Sequence, residues 1–279
     1  MRNLDPYDGN CFEFYKSVVE KKRNPRDDPD YKTRMHSIEA DIQNLYRIYN
    51  EAFDDTSLEN IQPAQLNDDV ISDLGRLYRY RDEKIKWLKK VLTTENGRVF
   101  NTCQNCTIGE VGSFDHILPK SEFVEFNVHP KNLFPSCTTC NSKKSTITES
   151  GGNRLFLNLY LDPLPNTQYL FVDIDATNDF LPEFYLQKPD DLDQSFYGVI
   201  SSHYDRLDLL QRFQDKCSEK LTNLVNTISS NLEFNSIEEI IAVTTNKIEK
   251  DRQFFGFNYW VSILELSLLR NESFIDQFS

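Results

Sequence analysis

The chain has 279 residues and a formal net charge of −13, with 39% hydrophobic and 13% aromatic residues. This length suits one large domain or two smaller ones and provides enough apolar residues for a core. No apolar run approaches the roughly 18 residues of a membrane span and the first residues contain no apolar signal core, so we expect a cytoplasmic protein with no membrane partner.

Residues 1–95 are predicted to form a helical N-terminal region. An apolar helical face begins at Cys11 and includes Val18 and Val19, which makes Cys11 a small core residue in this interpretation. A polar break with two prolines follows at residues 24–30. A second pattern with a 3.6-residue period, from Thr33 to Phe53, predicts another helix.

The most basic stretch is a predicted helix from about Asp69 to Leu92. Its basic side chains are Arg76, Arg79, Arg81, Lys84, Lys86, Lys89 and Lys90. Two interpretations stay open: a face that contacts phosphate groups, or an ordinary solvated helix face. The position of the stretch, directly before a cysteine-rich segment, favours the first.

Two Cys-x-x-C pairs, Cys103/Cys106 and Cys137/Cys140, are separated by 30 residues. Four thiolates in this arrangement suit a tetrahedral Zn²⁺ ion, which binds sulfur at about 2.3 Å and closes its coordination shell in structural sites. With four cysteines in these pairs and two standing alone, disulfides are not indicated. The cysteines therefore predict a structural zinc site.

Polar residues that suit phosphodiester hydrolysis lie within the same segment. Asp115 and His116 are adjacent, Asn132 follows, and Asn141 comes directly after the last cysteine. An aspartate and an asparagine can supply oxygen ligands to a hard cation such as Mg²⁺, and a neutral histidine can act as a general base. This combination predicts a catalytic centre beside the zinc site.

At these residues the chain resembles the HNH endonucleases, which are ββα-metal nucleases with a zinc-bound four-cysteine framework. The pattern CxxC…DHxxP…N…CxxCNxxK appears in order between Cys103 and Lys144. The resemblance implies two short strands and a helix within residues 96–150, with the helix starting near Thr138 and stopping before Gly151. The expected fold class is α+β: a mostly helical protein with this central module.

The resemblance also implies roles for the site residues. His116 would be the general base, and Asp115 and Asn141 would bind the catalytic Mg²⁺ or Mn²⁺ ion. Asn132 would hold the loop between strand and helix so that His116 faces the phosphate.

Two lysines complete the predicted site. Lys143 and Lys144 are expected on the first turn of the helix, where they would contact substrate phosphate and the helix N-terminus would favour an anion.

One geometric condition applies to the site as a whole. Adjacent strand residues point to opposite faces, so Asp115 and His116 can share a site only if the strand twists or ends there.

Other functions remain open from the sequence. The cysteines could form a zinc module without catalysis, in an adaptor that binds nucleic acid or a protein partner. An RNA-cleaving toxin could use the same site. Each residue by itself could be structural, and only their joint occurrence favours a nuclease.

Residues 151–279 are predicted to be a mainly helical C-terminal region with short strands. The predicted elements are strand pieces at Leu155–Tyr160 and Tyr169–Val172, and helices at about Tyr204–Ile228, from a capping box at Ser236 to about Lys250, and at about Arg252–Asn271. Cys217 lies on the apolar stripe of the first of these helices and is interpreted as a core residue.

The whole chain bears a looser resemblance to the HNH proteins encoded beside ATPases in anti-phage systems of the Septu type. That resemblance implies an ATPase protein partner and a DNA substrate. Residues 151–279 contain 20 acidic and 10 basic residues, whereas the first 150 contain 24 and 21. Because DNA affinity comes largely from lysine and arginine, either a partner delivers the DNA or a local basic patch suffices.

Overall fold

The computed structural model describes residues 1–278, and within them the chain forms an α+β fold of helices and four two-stranded antiparallel sheets. The helices are α1 (Cys11–Lys21), α2 (Tyr31–Ser37), α3 (Glu39–Asp54), α4 (Asp68–Gly75), α5 (Glu83–Leu92), α6 (Thr138–Lys144), α7 (Gln194–Arg206), α8 (Leu209–Gln214), α9 (Cys217–Asn231), α10 (Ile237–Phe255), α11 (Trp260–Leu269) and α12 (Glu272–Ile275). The strands are β1 (Thr94–Glu95), β2 (Arg98–Val99), β3 (Ser113–His116), β4 (Leu133–Ser136), β5 (Glu149–Ser150), β6 (Asn153–Arg154), β7 (Leu170–Asp175) and β8 (Leu181–Leu186).

The N-terminal region is helical, as predicted. The Asn10 side chain accepts hydrogen bonds from the N–H groups of Phe12 and Glu13 and so starts α1. Cys11 is buried in the face that α1 turns to the core, which confirms its interpretation as a core residue. The predicted helix from Thr33 to Phe53 is divided at Ile38 into α2 and α3.

The predicted helix from 69 to 92 is wrong as a single element, because a non-helical segment separates α4 from α5. Within it, the Tyr78 ring packs edge-on against His116 and the Tyr80 ring against Phe114, at centroid distances of 4.6 and 6.0 Å. Side chains two residues apart share a face only on an extended chain. Packing of both tyrosines against β3 therefore outweighs local helix propensity.

The segment between residues 113 and 144 forms the predicted two strands and helix. Strands β3 and β4 pair antiparallel, with Asp115 opposite Phe134 and His116 opposite Leu133. Cys137 caps the helix α6 that follows. Asp115 and His116 are both paired residues of β3, which ends at His116, so the prediction that their side chains share one site stays a prediction.

The C-terminal region differs from the prediction in its element boundaries. The helix predicted over 204–228 is divided into parts of α7, α8 and α9, with Asp208 in the left-handed region at φ 55°. Residues 155–160 form no strand. A strand does cover most of 169–172, and it pairs with β8, which the sequence did not indicate.

The last helices contain the most apolar part of the fold. The capping box at Ser236 is confirmed and opens α10. The helix predicted over 252–271 starts later, at Trp260, and eight of the ten residues of α11 are buried. Buried side chains from all three regions join one core, so the boundaries near residues 95 and 150 stay a prediction. No helix within residues 1–278 has the length and apolar character to cross a membrane.

Candidate active site

Four cysteine side chains meet beside β4 and α6. The sulfur atoms of Cys103, Cys106, Cys137 and Cys140 lie within 4.8 Å of one another, and all four residues are buried. The Cys106 and Cys137 sulfurs are 3.8 Å apart. Two ligands at about 2.3 Å from a tetrahedral zinc ion are separated by about 3.8 Å. The donor set and its spacing therefore fit a structural zinc ion.

Short local contacts hold these sulfurs in place. The Thr107 N–H donates to the Cys103 carbonyl at 2.7 Å, and the Cys140 N–H donates to the Cys137 sulfur at 3.4 Å. A Cβ atom at Gly109 would come within 3.0 Å of the Cys137 Cβ. The close approach of the two chain segments therefore leaves little room for a side chain at this position.

The four thiols also affect one another's ionisation. Hydrogen bonds within the cluster lower the pKa of Cys106 and Cys137 and raise the pKa of Cys103 and Cys140. Four thiolates so close together repel one another unless a cation lies between them. Zinc binding would therefore favour the charged form of all four.

Asp115 is buried and bonded to a lysine. The Lys144 ammonium donates to Asp115 Oδ2 at 2.7 Å and to the His116 carbonyl at 2.9 Å. Burial raises the pKa of Asp115, while the positive charge of Lys144 acts in the opposite direction. The ammonium group thus lies beside the carboxylate that was predicted to bind the catalytic cation.

The placement of the two lysines corrects the sequence prediction. Lys143 and Lys144 lie on the last turn of α6, so the helix N-terminus does not contribute beside them. Lys144 is buried, whereas Lys143 is exposed and lies 3.7 Å from Asp208. Only Lys143 presents its ammonium group at the surface.

His116 is held in one protonation state by its surroundings. Its Nε2 atom lies 3.0 Å from the Asn127 carbonyl oxygen. Because a carbonyl only accepts, Nε2 carries the proton of the neutral ring and Nδ1 is the remaining acceptor. Burial lowers the pKa of His116 to about 4, and the charges of Lys120 and Lys144 act in the same direction. The imidazole is therefore neutral at pH 7.

Asn132 is fully buried and uses both ends of its side chain. Its Oδ1 accepts from the Leu118 N–H at 2.7 Å and from the Tyr49 hydroxyl at 3.2 Å. Its Nδ2 donates to the carbonyls of Leu118 and Phe126, each at 3.2 Å. The side chain therefore ties the loop after His116 to both the Phe126 turn and the N-terminal helices.

Asn141 lies one helical turn before Lys144 on α6. Its backbone N–H donates to the Cys137 carbonyl at 3.0 Å, which links it directly to the cysteine cluster. The residue is half-buried. Residues three positions apart share a helix face, so Asn141 lies on the same face as the lysine that contacts Asp115.

Two strands, a helix and a buried four-cysteine cluster thus surround Asp115, His116 and Asn132. Residues 103–146 match the HNH endonuclease family model. This segment includes all four cysteines and every predicted site residue. We refer to it below as the HNH domain. HNH endonucleases act on nucleic acid and depend on metal, and the match concerns this segment of the chain.

A protein similar to this chain comes from a bacterial virus. Protein ea31 of Escherichia phage lambda is 23% identical over 186 residues, which cover 62% of this chain and 62% of the phage protein. The chain thus spans less than two thirds of the length of this relative. No solved structure matches the chain.

The C-terminal region contacts the HNH domain at its cysteine cluster. Arg212 Nη1 lies 3.5 Å from the Cys140 sulfur and 3.0 Å from the Leu207 carbonyl. The buried His203 ring bonds the Asn105 carbonyl through Nε2 at 3.0 Å and accepts the Leu157 N–H through Nδ1 at 3.3 Å. The positively charged Arg212 thus contacts the Cys137–Cys140 segment, and the neutral imidazole of His203 contacts the Cys103–Cys106 segment.

A cavity of about 760 Å³ opens beside the HNH domain. Asp115, Lys144 and Pro119 line it on the HNH side, and Arg154 and Asp162 line it on the other. The His116 ring instead packs against Tyr78. Convergence of Asp115 and His116 on a single phosphate is therefore part of the functional proposal below.

Several contributing residues were missed from the sequence. Asn127 acts through its backbone carbonyl, and Tyr49 and Arg212 come from distant parts of the chain, so no local pattern marks them. His203 is buried within α7, and no motif in the sequence marks it. Tyr78 lies in a stretch with a helical pattern, so its contact with His116 also has no local signal.

Proposed function

We propose that this protein is a metal-dependent endonuclease that hydrolyses phosphodiester bonds in DNA, with the HNH domain as its catalytic centre. One observation carries the proposal. The Asn127 carbonyl orients His116 beside a buried cysteine cluster that fits zinc, and this contact leaves Nδ1 as the ring atom that can take a proton from water. This histidine lies within residues 103–146, which match the HNH endonuclease family model.

In this proposal His116 is the general base. Its pKa of about 4 keeps it unprotonated at pH 7, and the negative charge of a bound phosphate would raise that pKa towards the range in which proton transfer is efficient. The proton removed from water would pass to Nδ1. The hydrogen bond from Nε2 to Asn127 would strengthen as the ring becomes positive.

Asp115 and Asn141 are the proposed ligands of the catalytic cation, Mg²⁺ or Mn²⁺. Their oxygen atoms suit a hard cation, and Asn141 is held by the cysteine cluster while Asp115 lies at the end of β3. When bound, such a cation stabilises the negative charge that develops on the phosphate and the leaving oxygen. Lys144 would then release Asp115 and, with Lys143, neutralise substrate phosphate.

Asn132 is proposed to position the loop between β3 and α6. Its four side-chain hydrogen bonds involve Leu118, Tyr49 and Phe126, and its own carbonyl accepts from the Ile117 N–H at 3.0 Å. These bonds fix the chain directly after His116. A change in this loop would move the base relative to the phosphate.

The wider role is proposed from the charge of the chain and the looser resemblance described above. We place the protein in the cytoplasm as the effector nuclease of an anti-phage complex with an ATPase partner. The acidic C-terminal region is unsuited to DNA. It is available for protein contacts, and restraint by a partner would protect the host until infection.

The decisive experiment replaces His116 by alanine. Loss of a general base lowers the rate by about 100-fold to 10,000-fold, so His116→Ala should retain its zinc and lose cleavage of duplex DNA in Mg²⁺ or Mn²⁺. His36→Ala is the matched control, because His36 is an exposed histidine on α2. Products should carry a 5′-phosphate and a 3′-hydroxyl.

Substrates must include duplex DNA, single-stranded DNA and transfer RNA, each with and without the candidate partner. Undiminished cleavage by His116→Ala would refute the assignment of the base. Cleavage of transfer RNA alone would favour the toxin. No cleavage of any substrate by the wild-type protein would favour the adaptor.

A further inference from the structure

A second concave surface lies on the N-terminal half of the molecule, between α1, the turn that follows it and the start of α5. Its volume is about 450 Å³. Six basic side chains line it against two acidic ones, in a chain whose net charge is −13. The six, named the basic pocket below, are Lys21, Lys22, Arg23, Arg76, Arg79 and Lys84.

Half of these cations are already paired. Lys22 bonds Asp82, Arg76 bonds Asp28 at 2.6 Å, and Lys21 lies 3.4 Å from Glu83. The other three, Arg23, Arg79 and Lys84, have no acidic partner within 4.0 Å in residues 1–278. Three uncompensated charges in a concave surface create a local positive potential that attracts anions.

One short segment of the chain links the basic pocket to the candidate base. Tyr78 packs against His116, and Arg79, which lines the pocket, is the next residue, with its Cα atom about 3.8 Å away. On the other side, the Lys120 ammonium lies 5.6 Å from the centre of the Tyr78 ring. Positive groups therefore lie on both faces of this extended segment: Lys120 lies beside the Tyr78 ring, and Arg79 lies on the opposite face, in the pocket.

We propose that the basic pocket binds backbone phosphates of the nucleic acid strand adjacent to the phosphate that is cleaved. This inference rests on the proposed nuclease function. Separate cations that are spread over a concave surface suit a polyanion better than a small anion, which would need several positive groups directed at one point. The arginine forks of Arg23 and Arg79 match phosphate oxygens in pairs.

The proposal also resolves how an acidic chain can bind DNA. The predicted basic helix does not act as one face, because its arginines lie in the non-helical segment between α4 and α5 and its lysines lie on α5. Arg79 and Lys84 line the basic pocket, whereas Lys86 and Lys90 do not. Within the stretch 69–92, substrate binding is therefore assigned to Arg76, Arg79 and Lys84.

The test measures binding in the inactive His116→Ala background, so that cleavage does not interfere. A fluorescein-labelled duplex of about 20 base pairs is titrated by anisotropy over a range of KCl concentrations, and the logarithm of affinity is plotted against the logarithm of salt. Each phosphate contact contributes about 0.9 to the slope. Arg79→Ala combined with Lys84→Ala should lower the slope by between about 1 and 2, with weaker binding at physiological salt.

The matched control is Lys86→Ala with Lys90→Ala, which removes two exposed lysines from the same helix outside the basic pocket. Its slope should not change. Arg79→Lys with Lys84→Arg keeps the charges and should restore most of the slope. All variants should show unchanged melting by circular dichroism, because the replaced side chains are at least partly exposed.

The proposal that the basic pocket binds phosphates would be refuted by either of two results. One is an unchanged salt slope in the Arg79/Lys84 variant, and the other is an equal decrease of the slope in the Lys86/Lys90 control. The nuclease proposal would survive either result if the protein with its native His116 cleaves DNA. Failure of the protein with its native His116 to bind or cleave any nucleic acid would overturn both. If the Arg79/Lys84 variant lost binding to RNA but not to DNA, the basic pocket would still be a phosphate-binding site, and the substrate would be RNA.

Discussion

Replacement of Asn132 by alanine is the sharpest test of how the loop beside the candidate base is held. The change removes four hydrogen bonds at once. Two partners retain another bond: the Phe126 carbonyl accepts from the His129 N–H at 3.0 Å, and the Tyr49 hydroxyl lies 3.4 Å from the Lys131 carbonyl. The N–H and carbonyl of Leu118 lose their side-chain partner.

The expected cost follows from these two orphaned groups. A buried polar group without a partner costs about 1–3 kcal/mol. Leu118 is half-buried, so water can partly replace the lost bonds, and we expect Asn132→Ala to lower the free energy of unfolding by about 2–4 kcal/mol. For a chain of this size, each kcal/mol lowers the melting temperature by about 2–4 °C.

Tyr49→Phe is the matched control because it removes only one of the four bonds, and it should cost about 0.5–1.5 kcal/mol. Asn132→Asp keeps the shape of the side chain but turns an oxygen towards the carbonyls of Leu118 and Phe126. It should therefore be at least as destabilising as alanine at pH 7.

The assay is thermal and urea unfolding of the zinc-loaded proteins, followed by far-UV circular dichroism and combined with the DNA cleavage assay. Asn132→Ala should also lose cleavage, since Leu118 lies two residues after His116. If Asn132→Ala were no less stable than Tyr49→Phe, the hydrogen-bond argument would be refuted. If it were destabilised yet fully active at low temperature, the loop would not position the base.

Two further predictions concern the cysteine cluster and its contacts. Cys140→Ser should contain less zinc by atomic absorption and form insoluble protein, because zinc binding contributes to folding; a soluble, folded, zinc-free variant would contradict the structural site. Burial lowers the pKa of His203 to about 4. Below about pH 6.5 the unfolded chain therefore takes up a proton at this histidine that the folded chain does not bind. The free energy of unfolding consequently falls as the pH falls from about 6.5 towards 4. Between pH 7 and pH 5 this histidine should account for a loss of about 2 kcal/mol, and His203→Gln should show a correspondingly smaller loss in urea titrations at the two pH values. Equal losses in both proteins would show that His203 does not titrate differently on folding.

Local sequence predicted the parts of the fold that depend on short-range chemistry. The two Cys-x-x-C pairs predicted the four-cysteine cluster, because each turn brings two sulfurs together wherever it occurs. The capping box at Ser236 marked the start of α10 for the same reason, since its bonds span only three residues. The mostly helical α+β class with a strand–strand–helix module followed from these patterns and from the resemblance carried by residues 103–144.

Long helices were predicted less well, because their limits depend on packing between distant segments. The stretch from 69 to 92 has a helical pattern, yet Tyr78 and Tyr80 pack against β3 and divide it. The stretch from 204 to 228 is divided near Asp208, whose left-handed conformation no simple pattern marks. Strand β8 was not predicted, because a strand is stabilised by hydrogen bonds to its partner, here β7, and not by its own sequence alone.

The sequence by itself determined which groups are available for chemistry: four thiols, a carboxylate, an imidazole and two amides in a fixed order. Tertiary structure decided the state of each. Burial and the Asn127 carbonyl set the tautomer of His116, the fold placed Lys144 beside Asp115, and α8 brought Arg212 to the cysteine sulfurs. A residue type fixes what a side chain can donate or accept, but the dielectric and the partners that control its charge come from segments far away in the chain.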